Sequence, residues 1–141
     1  MSFVVNMEKC EHYLFVSSND SKNIHPNNNA SEFWVELPTH LILRGQWEIA
    51  LVEIKLSSTE LNDYAMLFDG CECSYINDSF RPVLRFLESG TMHRIYNNPI
   101  YISVTRDMFE RLHLILLPCD GIQSSLSTEL LRCTLHLRRV K

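Results

Sequence analysis

The sequence predicts an all-β domain, and three observations carry the prediction. Short apolar or β-branched runs recur along the chain, separated by Gly, Pro, Asn, Asp and Ser clusters roughly every 8–15 residues. No stretch shows the 3.6-residue apolar period of an amphipathic helix. The C-terminal segment alternates cleanly, with Leu131, Cys133, Leu135 and Leu137 on one parity and Arg132, Thr134, His136 and Arg138 on the other. That pattern is a strand with one buried and one wet face. About eight strands at this spacing indicate a sandwich or barrel. Eight strands in two Greek keys make a jelly roll, and an immunoglobulin-like sandwich is the competing topology. Counting strands does not separate the two.

The first strand is expected over 12–18, where aromatic and β-branched residues run until Asn19-Asp20-Ser21 stops them. Residues 22–29 hold four Asn and one Pro and read as an irregular loop. The second strand, 33–37, puts Phe33, Val35 and Leu37 on one face; Pro38 cannot donate to a ladder and ends the strand or sits at an edge. Gly45 permits a tight turn. Residues 47–56 then form a strand whose apolar parity switches, from Trp47, Ile49 and Leu51 to Val52, Ile54 and Leu56. The switch marks a β-bulge or a strand buried on both faces, with Trp47, Ile49, Leu51, Val52 and Ile54 in the core.

Asp69-Gly70 lies between two strand-like runs, 64–68 and 71–76, and signals a tight hairpin; one bent strand is the alternative. Asn77-Asp78-Ser79 closes that segment. Further strands are expected over 80–87, with Pro82 near the start, then 92–96 and 100–104. Residues 106–110 suggest a single helical turn, and the apolar run 112–117 a core strand.

At 141 residues the chain is one domain, 1–141, with 1–11 expected to form a mobile N-terminal arm. An apolar share of 45% supplies one core without metals or disulfides. The net charge of −4 carries no strong nucleic-acid signal. Five cysteines without close pairing fit a reducing compartment. The start of the chain lacks the pattern of a secretory leader, and the Asn-x-Ser sequences at Asn19, Asn29 and Asn77 are read as chance. No apolar run reaches the roughly 18 residues of a membrane span.

Catalytic chemistry is not visible. His12, His25, His40, His93, His113 and His136 form no His-x-His pair of the kind a cupin metal site uses. His113 and His136 are expected to face solvent or a partner from their strands. Cys71 and Cys73 would share one strand face as two small side chains, and no second cysteine pair completes a zinc site. Cys10 and His12 have no orienting third group. No glycine-rich phosphate loop occurs. We therefore expect no enzyme, no cofactor and no metal. Trp34 falls on the opposite parity from Phe33 and Val35, so it is either covered by a loop or anchors an interface. The interface reading is preferred, and Asn27, Asn28 and Asn29 join Trp34 as candidate interface residues.

Taken together, several runs resemble a known family. These are 12–19, then Pro26-Asn27-Asn28-Asn29-Ala30-Ser31-Glu32-Phe33, then Val35-Glu36-Leu37-Pro38, then Gly45-Gln46-Trp47-Glu48-Ile49-Ala50-Leu51-Val52-Glu53-Ile54. Pro82-Val83-Leu84-Arg85-Phe86, Asn98-Pro99-Ile100-Tyr101-Ile102-Ser103-Val104 and Leu135-His136-Leu137-Arg138-Arg139 continue the series. Their order and spacing resemble the minor capsid (penton) proteins of Maverick/Polinton elements and adintovirus-like viruses. At 55–59 the chain departs from that pattern: Lys55-Leu56-Ser57-Ser58-Thr59 stands where members often carry Tyr-Pro-His-x-Trp. The resemblance implies an eight-stranded single jelly-roll β-sandwich that assembles as a homopentamer at icosahedral vertices. It implies a double-jelly-roll major capsid protein as neighbour, and a virion location after assembly in the host cytoplasm or nucleus. Two other classes stand beside it: a β-sandwich module, or domesticated viral copy, binding a protein or glycan through its loops, and a cupin-like enzyme.

Overall fold

The computed structural model describes residues 10–57, 63–88, 93–119 and 129–140. Within these lie eleven strands and no helix: β1 (Glu11–Ser17), β2 (Glu32–Ile42), β3 (Trp47–Leu56), β4 (Tyr64–Phe68), β5 (Ser74–Ile76), β6 (Ser79–Arg81), β7 (Val83–Leu87), β8 (His93–Ile95), β9 (Ile102–Ser103), β10 (Met108–Pro118) and β11 (Leu131–Arg139). The chain is thus an all-β sandwich of antiparallel sheets. One sheet runs β1-β11-β3-β8, with β9 also on β3; the other runs β2-β10-β4-β7. The pairings are nested. The first strand pairs with the last, β2 with β10, β3 with β8 and β9, and β4 with β7. No helix of the described residues is long and apolar enough to cross a membrane.

The inner faces of the two sheets make one core. Leu131, Cys133, Leu135 and Leu137 of β11 are buried, as their alternation predicts, and meet Phe33, Phe68, Phe109, Leu112 and Leu114 from the other sheet. β3 contains the predicted bulge. Leu51 pairs with Leu135 and Glu53 with Thr134, so Val52 is the extra residue. Ile54 and Leu56 thereby return to the inner face, which accounts for the parity switch. Val52 itself is only half-buried, contrary to its expected place in the core. Its carbonyl accepts from the Tyr96 N–H at 2.9 Å.

Three expectations are corrected and one choice is decided. Of its two expected places Pro38 takes the second: it lies within β2, at the edge of its sheet. Ladder partners jump from Glu36–Arg111 to Leu41–Phe109, so residues 37–40 bow off β10 where no rung needs the missing N–H. Residues 106–110 form no helical turn. Met108–Glu110 open β10, because Phe109 is drawn into the core against Phe68. Asp69-Gly70 joins no hairpin. It turns the chain out of β4, and Cys71 bridges Val104 instead. Gly70 is required there by space: a Cβ would sit 2.4 Å from two ring carbons of Phe109. The hairpin forms one step later, between β5 and β6, where Asn77 and Asp78 both take positive φ (49° and 64°) in a two-residue turn. The strand expected over 80–87 is split at Pro82 into β6 and β7.

That hairpin lies over the outer face of the four-stranded sheet. Ile76 and Val83 pack on Ala65 and Leu67, with Ile115 and Leu117 alongside, forming a second small core. All five residues of β4 are therefore buried, alternately toward the main core and toward the hairpin. Glu11, expected in a mobile arm, already pairs with Arg138, and the Cys10 carbonyl accepts from the Arg139 N–H. The rest of that arm, the turn at 89–91 and the loop at 124–128 lie outside the described residues.

Candidate functional site

The candidate residues of the Asn-rich loop converge on one task. β2 is an edge strand, and its outward backbone groups would otherwise be unpaired. Residues 20–29 close that edge as a strap. The Asn28 side-chain amide works like a ladder rung: Oδ1 accepts from the Trp34 N–H at 3.0 Å, and Nδ2 donates to the Trp34 carbonyl at 2.7 Å. The same Nδ2 donates to the Asp20 carbonyl at 3.0 Å. Asn29 treats Glu32 likewise, its N–H donating to the Glu32 carbonyl and its Oδ1 accepting from the Ser31 and Glu32 N–H groups. Ser21 Oγ accepts from the Glu36 N–H at 2.9 Å. Asn28 is 5% exposed, Asn29 half-buried and Asn27 exposed. Of the three asparagines, only Asn27 presents itself outward. Ser18 pins the strap's start, exchanging hydrogen bonds with the backbone of Leu131.

Trp34 is half-buried between two imidazoles. His113 stacks on it at 3.7 Å with rings 3° from parallel, and His25 lies at 6.0 Å on a 21° tilt. The strap covers part of the ring, as the covered-by-a-loop reading expects, and the remainder lines an open groove of about 420 Å³ with Ile24, Asn27 and Glu32. Each imidazole has a carboxylate, His113 with Glu32 at 2.6 Å and His25 with Glu36 at 2.9 Å. Glu36 also accepts from Arg111 at 2.8 Å. The Arg111 and His25 hydrogen bonds hold the Glu36 carboxyl below its ordinary value, and Glu36 in turn pushes Arg111 up.

The outer face of the five-stranded sheet is the second surface. His136, expected to face solvent or a partner, is 7% exposed. Tyr101 and Glu11 engage both its ring nitrogens, at 2.8 and 3.0 Å, and Tyr13 stacks on it at 4.4 Å. An imidazole with both nitrogens bonded is buried at little cost. Arg138 lies over the Tyr101 ring at 3.5 Å and also bonds Glu48. Phe15, by contrast, is 76% exposed. It walls a groove of about 300 Å³ whose charged lining is Asp20, Glu53, Lys55 and Arg132. On the opposite side of the molecule, the β5–β6 hairpin carries Tyr75 and Phe80 edge to face at 5.7 Å, 63% and 73% exposed.

Sequence reasoning missed this hairpin pair and the Phe15 groove. The hairpin's signal is Asn77-Asp78, two residues that accept the positive φ of a two-residue turn and that also fit a strand end. Cys71 and Cys73 do not share a strand face: Cys71 is buried in a bridge, Cys73 is exposed. Burial pushes the Cys71 thiol up to about 12, and the Cys133 thiol likewise to about 12. Among the described residues no three His, Cys, Asp or Glu side chains converge as metal ligands. The groups that do converge make contacts between strands and open grooves, a geometry suited to binding surfaces. Compared with known protein families and with curated proteins, the chain matches none.

Proposed function

We propose that this chain is a single jelly-roll capsid protein of the penton type, closing as a homopentamer at icosahedral vertices. The observation that carries the reading is the nested pairing of first strand with last, second with next to last, and so inward. A long antiparallel ribbon rolled in this way places β1, β3, β8 and β11 in one sheet and β2, β4, β7 and β10 in the other. In the proposed reading these correspond to the two four-strand layers of a jelly roll, with β9 as a supplement on β3. The motif series in the sequence supports the same reading, since its runs fall on β1, on the strap and β2, on β3, on β7, on β9 and on β11.

In this reading function is association, through sheet faces and loops, first between copies and then with a double-jelly-roll major capsid protein in the virion. The strap adds a physical requirement such a protein meets: a closed β2 edge directs copies to face contacts and away from open-ended sheet extension. Mass photometry and negative-stain imaging of the purified chain test it. Five copies of a 16.5 kDa chain should form rings of about 80 kDa. A chain that stays monomeric at about 100 μM, well above the affinity expected of standard-size interfaces, would overturn it.

A further inference from the structure

We propose that copies of this chain associate head to tail, the β5–β6 hairpin of one copy seating in the Phe15–Lys55–Arg132 groove of the next. The inference rests on the penton reading and names its contact. Three observations lead to it. The hairpin projects two exposed aromatic rings from the outer face of one sheet, while the groove opens on the outer face of the other. A groove of about 300 Å³ is at the small end for a site that takes a ring system, which suits one aromatic side chain and its neighbour.

Charge completes the match. Arg132 and Lys55 are directly paired across β11 and β3, both exposed, and neither has an ion-pair partner among the described residues. Like charges facing each other across a ladder are unfavourable unless negative groups stand near, and Asp20 and Glu53 of the same lining offset them only in part, since neither forms an ion pair with Lys55 or Arg132. The groove's own acids are engaged: Asp20 accepts from the Ser17 N–H, and Glu53 pairs with His93. Exposed Glu72 stands just before the hairpin, and within it exposed Asp78 accepts from the Tyr75 hydroxyl at 2.9 Å and keeps its charge, against one half-buried cation, Arg81. Complementary patches on opposite faces of a sandwich cannot satisfy each other within a symmetric dimer. They make a heterologous contact, which closes a ring when the rotation allows.

The test uses two full-length variants, Y75S/F80S in the hairpin and K55E/R132E in the groove, each checked for an unchanged melt by circular dichroism. Each alone should weaken assembly at least tenfold and leave monomers at concentrations where the wild type is a ring. Mixed in equal amounts they should form dimers and stop there, because only one intact hairpin and one intact groove remain. Combining E72K/D78N with K55E/R132E in one chain restores opposite charge with the sign reversed, and should recover rings even if the serine variant folds poorly. D78N keeps a side chain suited to the left-handed backbone at that position. Rings unaffected by either variant would overturn this contact and leave the penton reading standing. A monomeric wild type would overturn both. Monomeric variants that ignore each other when mixed would overturn the head-to-tail pairing alone.

Discussion

Replacing Asn28 with alanine should destabilise the sandwich and expose its β2 edge. The side chain makes three hydrogen bonds, two to Trp34 and one to Asp20, from a position 5% exposed. At about 1 kcal/mol net for each bond, and more for any backbone group left dry, the loss is about 2–4 kcal/mol. For a chain of this length that lowers the melting temperature by roughly 7–14 °C. Asn28→Asp sharpens the test. It keeps the acceptor for the Trp34 N–H but turns a second oxygen toward the carbonyls of Trp34 and Asp20, so at neutral pH it should be no better than alanine. Asn27→Ala, at an exposed position one residue away, should change stability by less than about 0.5 kcal/mol. Thermal and urea melts followed by circular dichroism give the numbers, and static light scattering reports association through the opened edge. An Asn28→Ala protein melting within about 2 °C of wild type would refute the ladder-rung account, since even one lost bond should move it further. So would an aspartate variant as stable as asparagine.

Other consequences follow from named contacts. Gly70→Ala places a methyl group against the buried Phe109 ring and should cost about 1–3 kcal/mol by overpacking, read as a lower urea midpoint with unchanged slope. Glu36 has a depressed carboxyl value, so its contribution is present above the ordinary value near 4.5 and is lost as pH falls through the lower folded value. The melting difference between wild type and Glu36→Gln should therefore be constant near neutrality and vanish in acid; a difference growing below pH 4 would contradict the pairing with Arg111. Cys10 and Cys73 are exposed while Cys71 and Cys133 are buried with thiols raised to about 12, so a thiol reagent should label the first pair in the native protein and the second only on denaturation.

Much of the sandwich can be read from local pattern. The alternation of 131–137 places β11, and the parity switch near Val52 locates the bulge that Leu51, Glu53 and Leu135 display. These succeed because side-chain parity is a local property, fixed by backbone geometry and then selected by one buried face. Where reading failed, a distant partner had overridden a local preference. The 106–110 turn became strand because Phe109 fills core space beside Phe68. The Asp-Gly signal produced a turn out of β4 because Gly70 had to clear that same ring.

The candidate site shows the same division. Trp34 and the three asparagines stand out in the sequence by parity and composition alone, and that much was decided there. Their task was not. Whether Asn28 faces a neighbour or plugs an edge depends on which strand lies at the border of the sheet, and that is set by long-range pairing across about a hundred residues. His136 carries a polar parity and is buried all the same, because Tyr101 and Glu11 arrive from distant segments to bond its nitrogens. Alternation determined which way each strand's side chains point. Only the tertiary structure decided what waits on the other side, because burial of a polar group depends on partners that come from elsewhere in the chain.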